Sequence, residues 1–165
     1  MKKWLYATGL GLALMTSAGV QAGDKIAIVN VAQIFQKLPA REAVAKQLEN
    51  EFKGRATDLK SMEEKLRTDM EKLQRDRSIM KTSDISSMEK NIMEQRETFS
   101  NKAQTFEIDN RRRQTEERNK ILSRIQDAVK TVATKKSYDM VIDVSAVVYA
   151  LPSKDITADV LKEVK

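Results

Sequence analysis

Between Ala40 and Ser137 the chain holds no proline and a single glycine, Gly54. Glu, Lys, Gln, Arg, Leu and Met dominate this stretch, and these straight-chain residues lose little freedom on entering a helix. The stretch is predicted to be helical, yet it is too long to be one element of a domain this small. The best break is Lys81-Thr82-Ser83-Asp84, where a stretch without apolar residues coincides with helix N-cap chemistry. Two helices joined by a turn near residues 81–84 follow.

The apolar pattern supports a fold-back at that point. Phe52, Leu59, Leu66, Leu73 and Met80 recur every seventh residue before the break, and Ile85, Ile92, Phe99 and Phe106 do so after it. A reversal at Thr82 and Ser83 sets Met80 against Ile85, Leu73 against Ile92, Leu66 against Phe99 and Leu59 against Phe106, so the seam is symmetric about the turn. The same rule faces Met62 with Ala103, Asp69 with Arg96 and Glu63 with Lys102. Arg55, Asp69 and Asp76 interrupt the second row, which predicts a loosely packed, flexible hairpin. Arms of about 40 residues at 1.5 Å per residue reach roughly 60 Å and must project from whatever body the rest of the chain makes.

That body has little material. Lys25 to Val31 (KIAIVNV) reads as one strand and Tyr138 to Leu151 as two more, all apolar enough to be buried on both faces. Ile121, Leu122, Ile125, Val129 and Val132 form an apolar stripe that should pack on those strands, and Thr157 to Lys165 reads as a short closing helix with Thr157 as a capping candidate. The resulting fold class is α+β, mostly α. A long antiparallel coiled-coil hairpin, residues 40–120, projects from a small β-rich body formed by residues 23–39 and 121–165. So few strands cannot make an independent core, and the body is expected to oligomerise through its strand edges. Before it, Lys2 and Lys3, an apolar run from Trp4 to Met15 and small residues ending at Ala22 read as a signal peptide over residues 1–22, cleaved after Ala22. The run is too short for a membrane anchor.

Composition narrows function mostly by exclusion. There is no His and no Cys, so the commonest general base, nucleophile and soft metal ligands are missing. Without a glycine-rich phosphate loop, no nucleotide is expected, and neither is a metal or other cofactor. Carboxylate neighbours such as Glu63 and Glu64, or Glu116 and Glu117, read as solvated charge on helices, and so does the whole stretch from Glu107 to Lys120, whose one apolar residue is Ile108. The chain reads as a binding protein and not an enzyme. Lys102 and Arg113 stand close to three helical turns apart with Arg112 and Arg124 beside them, a basic ridge suited to anionic headgroups. An exported chain without aromatics interleaved among its basic residues is not expected to bind nucleic acid. Met62, Met70, Met80, Met88 and Met93 are concentrated in the arms and read chiefly as gap fillers.

The KIAIVNV strand, the LENEFKGRA segment from Leu48 to Ala56, KAQTFE from Lys102 to Glu107 and the KDITADVLKEVK ending together resemble the Skp (OmpH-like) periplasmic chaperone family over the whole chain. The resemblance implies a homotrimer in which strands of three subunits close a small barrel and three hairpins surround a cavity. It implies an ATP-independent periplasmic holdase that keeps unfolded outer-membrane β-barrel proteins soluble, delivering them for insertion. It also implies a lipopolysaccharide site at Lys102, Arg112 and Arg113, with Asn110 standing where the family has a basic residue and Arg111 adding one directly before the pair. The hairpin alone would equally suit a cell-envelope coiled-coil adaptor or structural protein.

Overall fold

The computed structural model describes residues 25–164, so the signal peptide expected over residues 1–22 lies outside it. In chain order the elements are β1 (Ile26–Val29), α1 (Val31–Lys37), α2 (Ala40–Asp76), α3 (Thr82–Lys136), β2 (Met140–Asp143) and α4 (Thr157–Glu163). Helices α2 and α3 form the hairpin, and the C-terminal third of α3 continues past the root of α2 into the body.

The reversal between the arms occupies residues 77–81, about one helical turn before the expected position, because Thr82 already belongs to α3. Lys81 takes the extended capping conformation, its carbonyl accepts from the N–H groups of Asp84 and Ile85, and the Asp84 carboxylate lies in the first turn, where the helix dipole favours it. Along the arms the half-buried positions of α2 run Arg55, Leu59, Met62, Leu66, Asp69, Leu73 and Asp76, a spacing of three and four that marks a coiled-coil face, and Met80 in the reversal continues it. Phe52 and Ile92 are buried, whereas the other seam residues, Ile85, Phe99 and Phe106 included, remain half-exposed. Phe106 meets Phe52 edge to face at 5.6 Å between centroids and shares a groove with Leu59, its expected partner.

Two of the expected polar pairs do not form. Asp69 accepts from Gln95 at 2.9 Å and from Lys65 at 2.8 Å, one position away from Arg96. Lys102 is exposed and makes no ion pair among the described residues, while its neighbour Ala103 is half-buried. On α3 the half-buried positions run Gln95, Phe99, Ala103 and Phe106, so Lys102 stands just outside the seam, as Glu63 does beside Met62 on α2, and the two do not pair.

In the body, β1 and β2 pair in parallel with Ile26 opposite Met140 and Val29 opposite Asp143. Ala27, Val29, Ile34, Leu38, Ile156 and Val160 pack on Ile121, Ile125, Ala128 and Val132 of α3, so one chain closes a larger core than its strands alone would allow. Helix α1 was not anticipated. The signal that announces it is Asn30 as the N-cap, whose carboxamide oxygen accepts from the Gln33 N–H at 2.8 Å. The expected caps shift at α4, where the Asp155 carboxylate accepts from the Thr157 N–H and the Thr157 hydroxyl accepts instead from the N–H of Asn30.

The strand expectations need correction. Neither strand is buried on both faces, since Met140 is exposed and Ile26 and Ile28 are only partly covered. Of the two strands read within Tyr138 to Leu151, only β2 is present. Val144–Ala146 makes one turn of 3-10 helix, and Val147 to Leu151 is irregular, with Val148 and Tyr149 standing in solvent. The residues are suited to a strand, but the sheet is β1 and β2 alone and they pair with neither.

Backbone strain yields two predictions. Gly54 lies inside α2 with nothing within 4 Å of where a Cβ would sit, whereas Ser137 ends α3 in the left-handed region at φ 55°. Gly54→Ala should therefore stabilise the hairpin by about 0.5–1 kcal/mol, and Ser137→Gly should relieve about 1 kcal/mol at the helix end. Urea midpoints followed by circular dichroism should rise in both variants, and a fall in either would contradict the local account.

Candidate functional site

The segment Glu107 to Lys120 does not behave as a solvated helix. Asp109, Arg112, Arg113, Glu116, Glu117 and Lys120 form one connected network that ties α3 to α2 at the root of the hairpin, while Glu107 and Arg111 make a separate exposed pair. Arg55 of α2 reaches Asp109 at 2.9 Å and lies 5.6 Å from the centroids of both Phe52 and Phe106. Asp109 is joined to Arg112 at 3.3 Å and Arg112 to Glu116 at 3.0 Å. Glu116 meets Arg113 at 2.8 Å, and Arg113 in turn reaches Glu51 of α2 at 3.0 Å and Glu117 at 2.9 Å. Lys120 closes the series on Glu117 at 2.8 Å. Arg55, Arg112, Arg113 and Lys120 thus balance Asp109, Glu116, Glu51 and Glu117, and the network carries no net charge.

Spacing explains why it forms here. Residues three and four apart on α3 face one another, which accounts for the links within 109–120. Between Phe106 and Ile121 the α3 face turned toward α2 carries no large apolar side chain, so the seam there is polar, and Glu51 and Arg55 of α2 supply its cross-arm partners. Glu117 is buried, with its side chain 9% exposed, and Arg113 is 17% exposed. Burial of that degree makes the pairing consequential, because either charge left alone there would be poorly solvated. Hydrogen bonds from Arg113 and Lys120 hold Glu116 and Glu117 below the usual carboxylate range, Arg55 does the same for Asp109, and Glu51 is the leading reason that the Arg113 guanidinium is held more firmly protonated than usual.

The three residues expected to form an anion site are placed differently from one another. Lys102 lines a groove between the arms with Arg55, Asp58, Leu59 and Phe106. Arg112 is more than half exposed and lines another groove, beside Ile108, Arg111 and Glu116. Arg113 lies at the interface of the two arms. Arg112 and Arg113 share Glu116, whereas Lys102 is separate from both. Of the basic ridge read from spacing, Arg112 and Arg113 are neutralised while Lys102 and Arg124 make no ion pair among the described residues, and the role of Arg55, Asp109 and Glu51 was not anticipated. Opposite charges at adjacent heptad positions of the two arms were the available signal.

Nearer the tip, Leu66, Leu73, Ile92, Met70 and Met93 line a second apolar groove rimmed by Arg67, Arg77 and Arg96. Met93 is 69% exposed, so this methionine fills no gap in the seam. No helix among the described residues is long and apolar enough to cross a membrane.

The network generates a pH prediction. Carboxylates whose folded pKa is depressed stabilise the hairpin root above their ordinary range near 4 and lose that contribution as pH falls through the folded values. Arg113→Gln should lower the urea midpoint at pH 7, and the gap from the parent protein should narrow as pH is taken below about 4. A gap that stays constant down to pH 3 would mean that these carboxylates are not coupled to folding.

Over residues 25–164 the chain matches the family described as outer membrane protein (OmpH-like). Proteins of Pectobacterium atrosepticum and Yersinia pestis named chaperone protein Skp are 72% and 74% identical to it over 165 residues, with both chains covered in full. A solved OmpH-like structure from Caulobacter crescentus superposes with a TM-score of 0.75 at 16% identity, covering 97% of this chain and 90% of its own, a likeness of fold. The chain belongs to the OmpH-like outer membrane protein family.

Proposed function

We propose that this protein is an ATP-independent holdase of the periplasm that binds unfolded outer-membrane β-barrel proteins, prevents their aggregation and assists their delivery to the outer membrane. Its working form is a homotrimer in which the bodies, residues 23–39 and 121–165, share one barrel and the arms, residues 40–120, enclose a cavity. The signal peptide, residues 1–22, directs export and is removed after Ala22. Relatives named as Skp chaperones support the reading, and so does the fold they share.

The observation that carries it is the distribution of apolar surface. In the arms, a seam of two helices leaves nearly every apolar residue half-covered, and the groove around Met70 and Met93 stands open. Such surface is spread along the arm and not gathered in a cleft, which suits weak contacts with an extended chain of no fixed shape. In the body, Ile26, Met140, Val144, Val148, Tyr149 and Leu151 are exposed, more large apolar side chains than a stable monomer would present around two short strands. A second copy supplying a strand edge would cover them. Lys102, Arg112 and Arg113 are the residues we assign to lipopolysaccharide. One observation favours a cell-envelope adaptor instead: Ile79, 85% exposed at the hairpin tip, could dock on a folded partner.

Light scattering of the mature protein, alone and mixed with a urea-denatured outer-membrane barrel, tests the reading. The expected masses are three chains, then three chains with one soluble client. A client that precipitates in the presence of an intact trimer would overturn the holdase function, and retention of one native envelope protein lost on Ile79→Asp would favour the adaptor.

A further inference from the structure

We propose that Glu51 acts as an internal counterion to Arg113, an autoinhibitory contact in which a phosphate-bearing ligand and the closed root of the hairpin compete for one guanidinium. The inference rests on the lipopolysaccharide reading above and adds to it a residue, a direction of effect and a coupling to arm movement.

The argument begins with the hydrogen-bond capacity of Arg113. A guanidinium has five N–H donors. Here Nε donates to Glu51 at 3.0 Å, Nη1 to Glu116 at 2.8 Å, and Nη2 to Glu51 at 3.2 Å while also lying 2.9 Å from Glu117. Three of the five therefore donate to carboxylates, Glu117 adds an ion pair at Nη2, and the side chain is largely covered. A phosphate oxygen cannot reach Arg113 in the bidentate manner such groups favour unless a carboxylate leaves. The partners differ in what leaving entails. Glu116 and Glu117 are on the same helix as Arg113 and can retain Arg112 and Lys120 as partners. Glu51 alone belongs to α2, and Arg113 is its one ion-pair partner among the described residues. Displacing Glu51 therefore cuts a cross-arm link in the segment where the seam has no large apolar side chain on α3.

Charge balance leads to the same conclusion. With four positive and four negative groups the network has no standing attraction for an anion. Neutralising or removing Glu51 leaves one uncompensated cation beside Arg112, whose own guanidinium is already accessible. Coupling of this kind is reciprocal: an anion that takes Arg113 loosens the root of α2, and movement that separates α2 from α3 exposes Arg113.

The test compares binding of the intact protein and its variants to phosphatidylcholine vesicles with and without lipopolysaccharide. Glu51→Gln should bind the lipopolysaccharide vesicles at least about fivefold more tightly than the parent, the lower end of ordinary coupling. Glu51→Asp, whose carboxylate is retracted by one methylene, should gain less, and Arg113→Gln should bind more weakly than the parent. In the parent, lipopolysaccharide should also speed amide exchange around Leu48 to Phe52 while leaving Ile121 to Val132 unchanged. Competition by inorganic phosphate would assign the gain to phosphate itself, and a gain resistant to phosphate would assign it to the lipid headgroup. The counterion role stands in either case. Binding by the parent that is unchanged or weakened in both Glu51 variants would overturn the counterion role and leave the lipopolysaccharide reading intact. Absence of binding by the parent and by Glu51→Gln alike would overturn both, and an equal gain on plain phosphatidylcholine vesicles would show that the substitution only uncovers a sticky surface.

Discussion

Helix α3 serves two structures at once, and the arrangement of this protein follows from the way its buried face changes partner along 55 residues. From Ile85 to Phe106 that face meets α2. From Ile121 to Val132 it meets β1, α1 and α4 and supplies four of the ten buried residues of the body core. A helix shared in this way transmits the position of the body to the arm without a flexible joint on that side of the hairpin. The other arm joins the body differently: α2 begins after Pro39, next to the buried Leu38, and its root is held by Val44 against the body core and by the side chains that reach α3. The ion-pair network around Arg113 is found at this root.

Polar residues within the seam have a second consequence. An all-apolar pair of heptad helices can slide by a turn with little loss, because one leucine replaces another. Arg55 meeting Asp109 and Asp69 meeting Gln95 oppose such slippage, since a shift would leave partly buried charges without partners. The side-chain polar atoms that are buried all have partners among the described residues. The arms can therefore be thinly packed and still keep one register. Loose packing and fixed register normally oppose each other, and here they are assigned to different side chains.

Much of this was legible before any coordinates, and the misses have physical reasons. The absence of proline and the seven-residue repeat specified two helices and their facing stripes, because a coiled-coil seam writes itself into local sequence. The position of the turn was displaced by about a turn because Thr82 and Ser83 carry capping chemistry that the helix did not use. Asp69 and Lys102 depart from the expected pairs because Gln95, and not Arg96, holds the half-buried position facing Asp69, and because Lys102 and Glu63 each stand one residue outside the seam made by Ala103 and Met62. Glu117 was read as solvated because its burial depends on the root of α2 lying beside it, a non-local fact. Among the three residues proposed for lipopolysaccharide, spacing alone sets Lys102 and Arg113 close to three turns apart on α3, yet Lys102 is exposed and Arg113 is largely covered. Spacing could not reveal that Arg113 is turned toward Glu51.

The strand that failed to appear beyond β2 points to the limit of what one chain can build. Val147, Val148 and Tyr149 have the β-branched and aromatic character of a strand, but a strand is stable only when its N–H and C=O groups find an edge. Helices satisfy their backbone internally, which is why the arms can form fully in a single copy while the body is left with unpaired, strand-like sequence. Exposed apolar surface is accordingly distributed in two ways. On the arms it is dispersed among charges. Around Met140, Tyr149 and Leu151 it is concentrated beside the irregular stretch that follows β2, the arrangement on which the proposed oligomer rests.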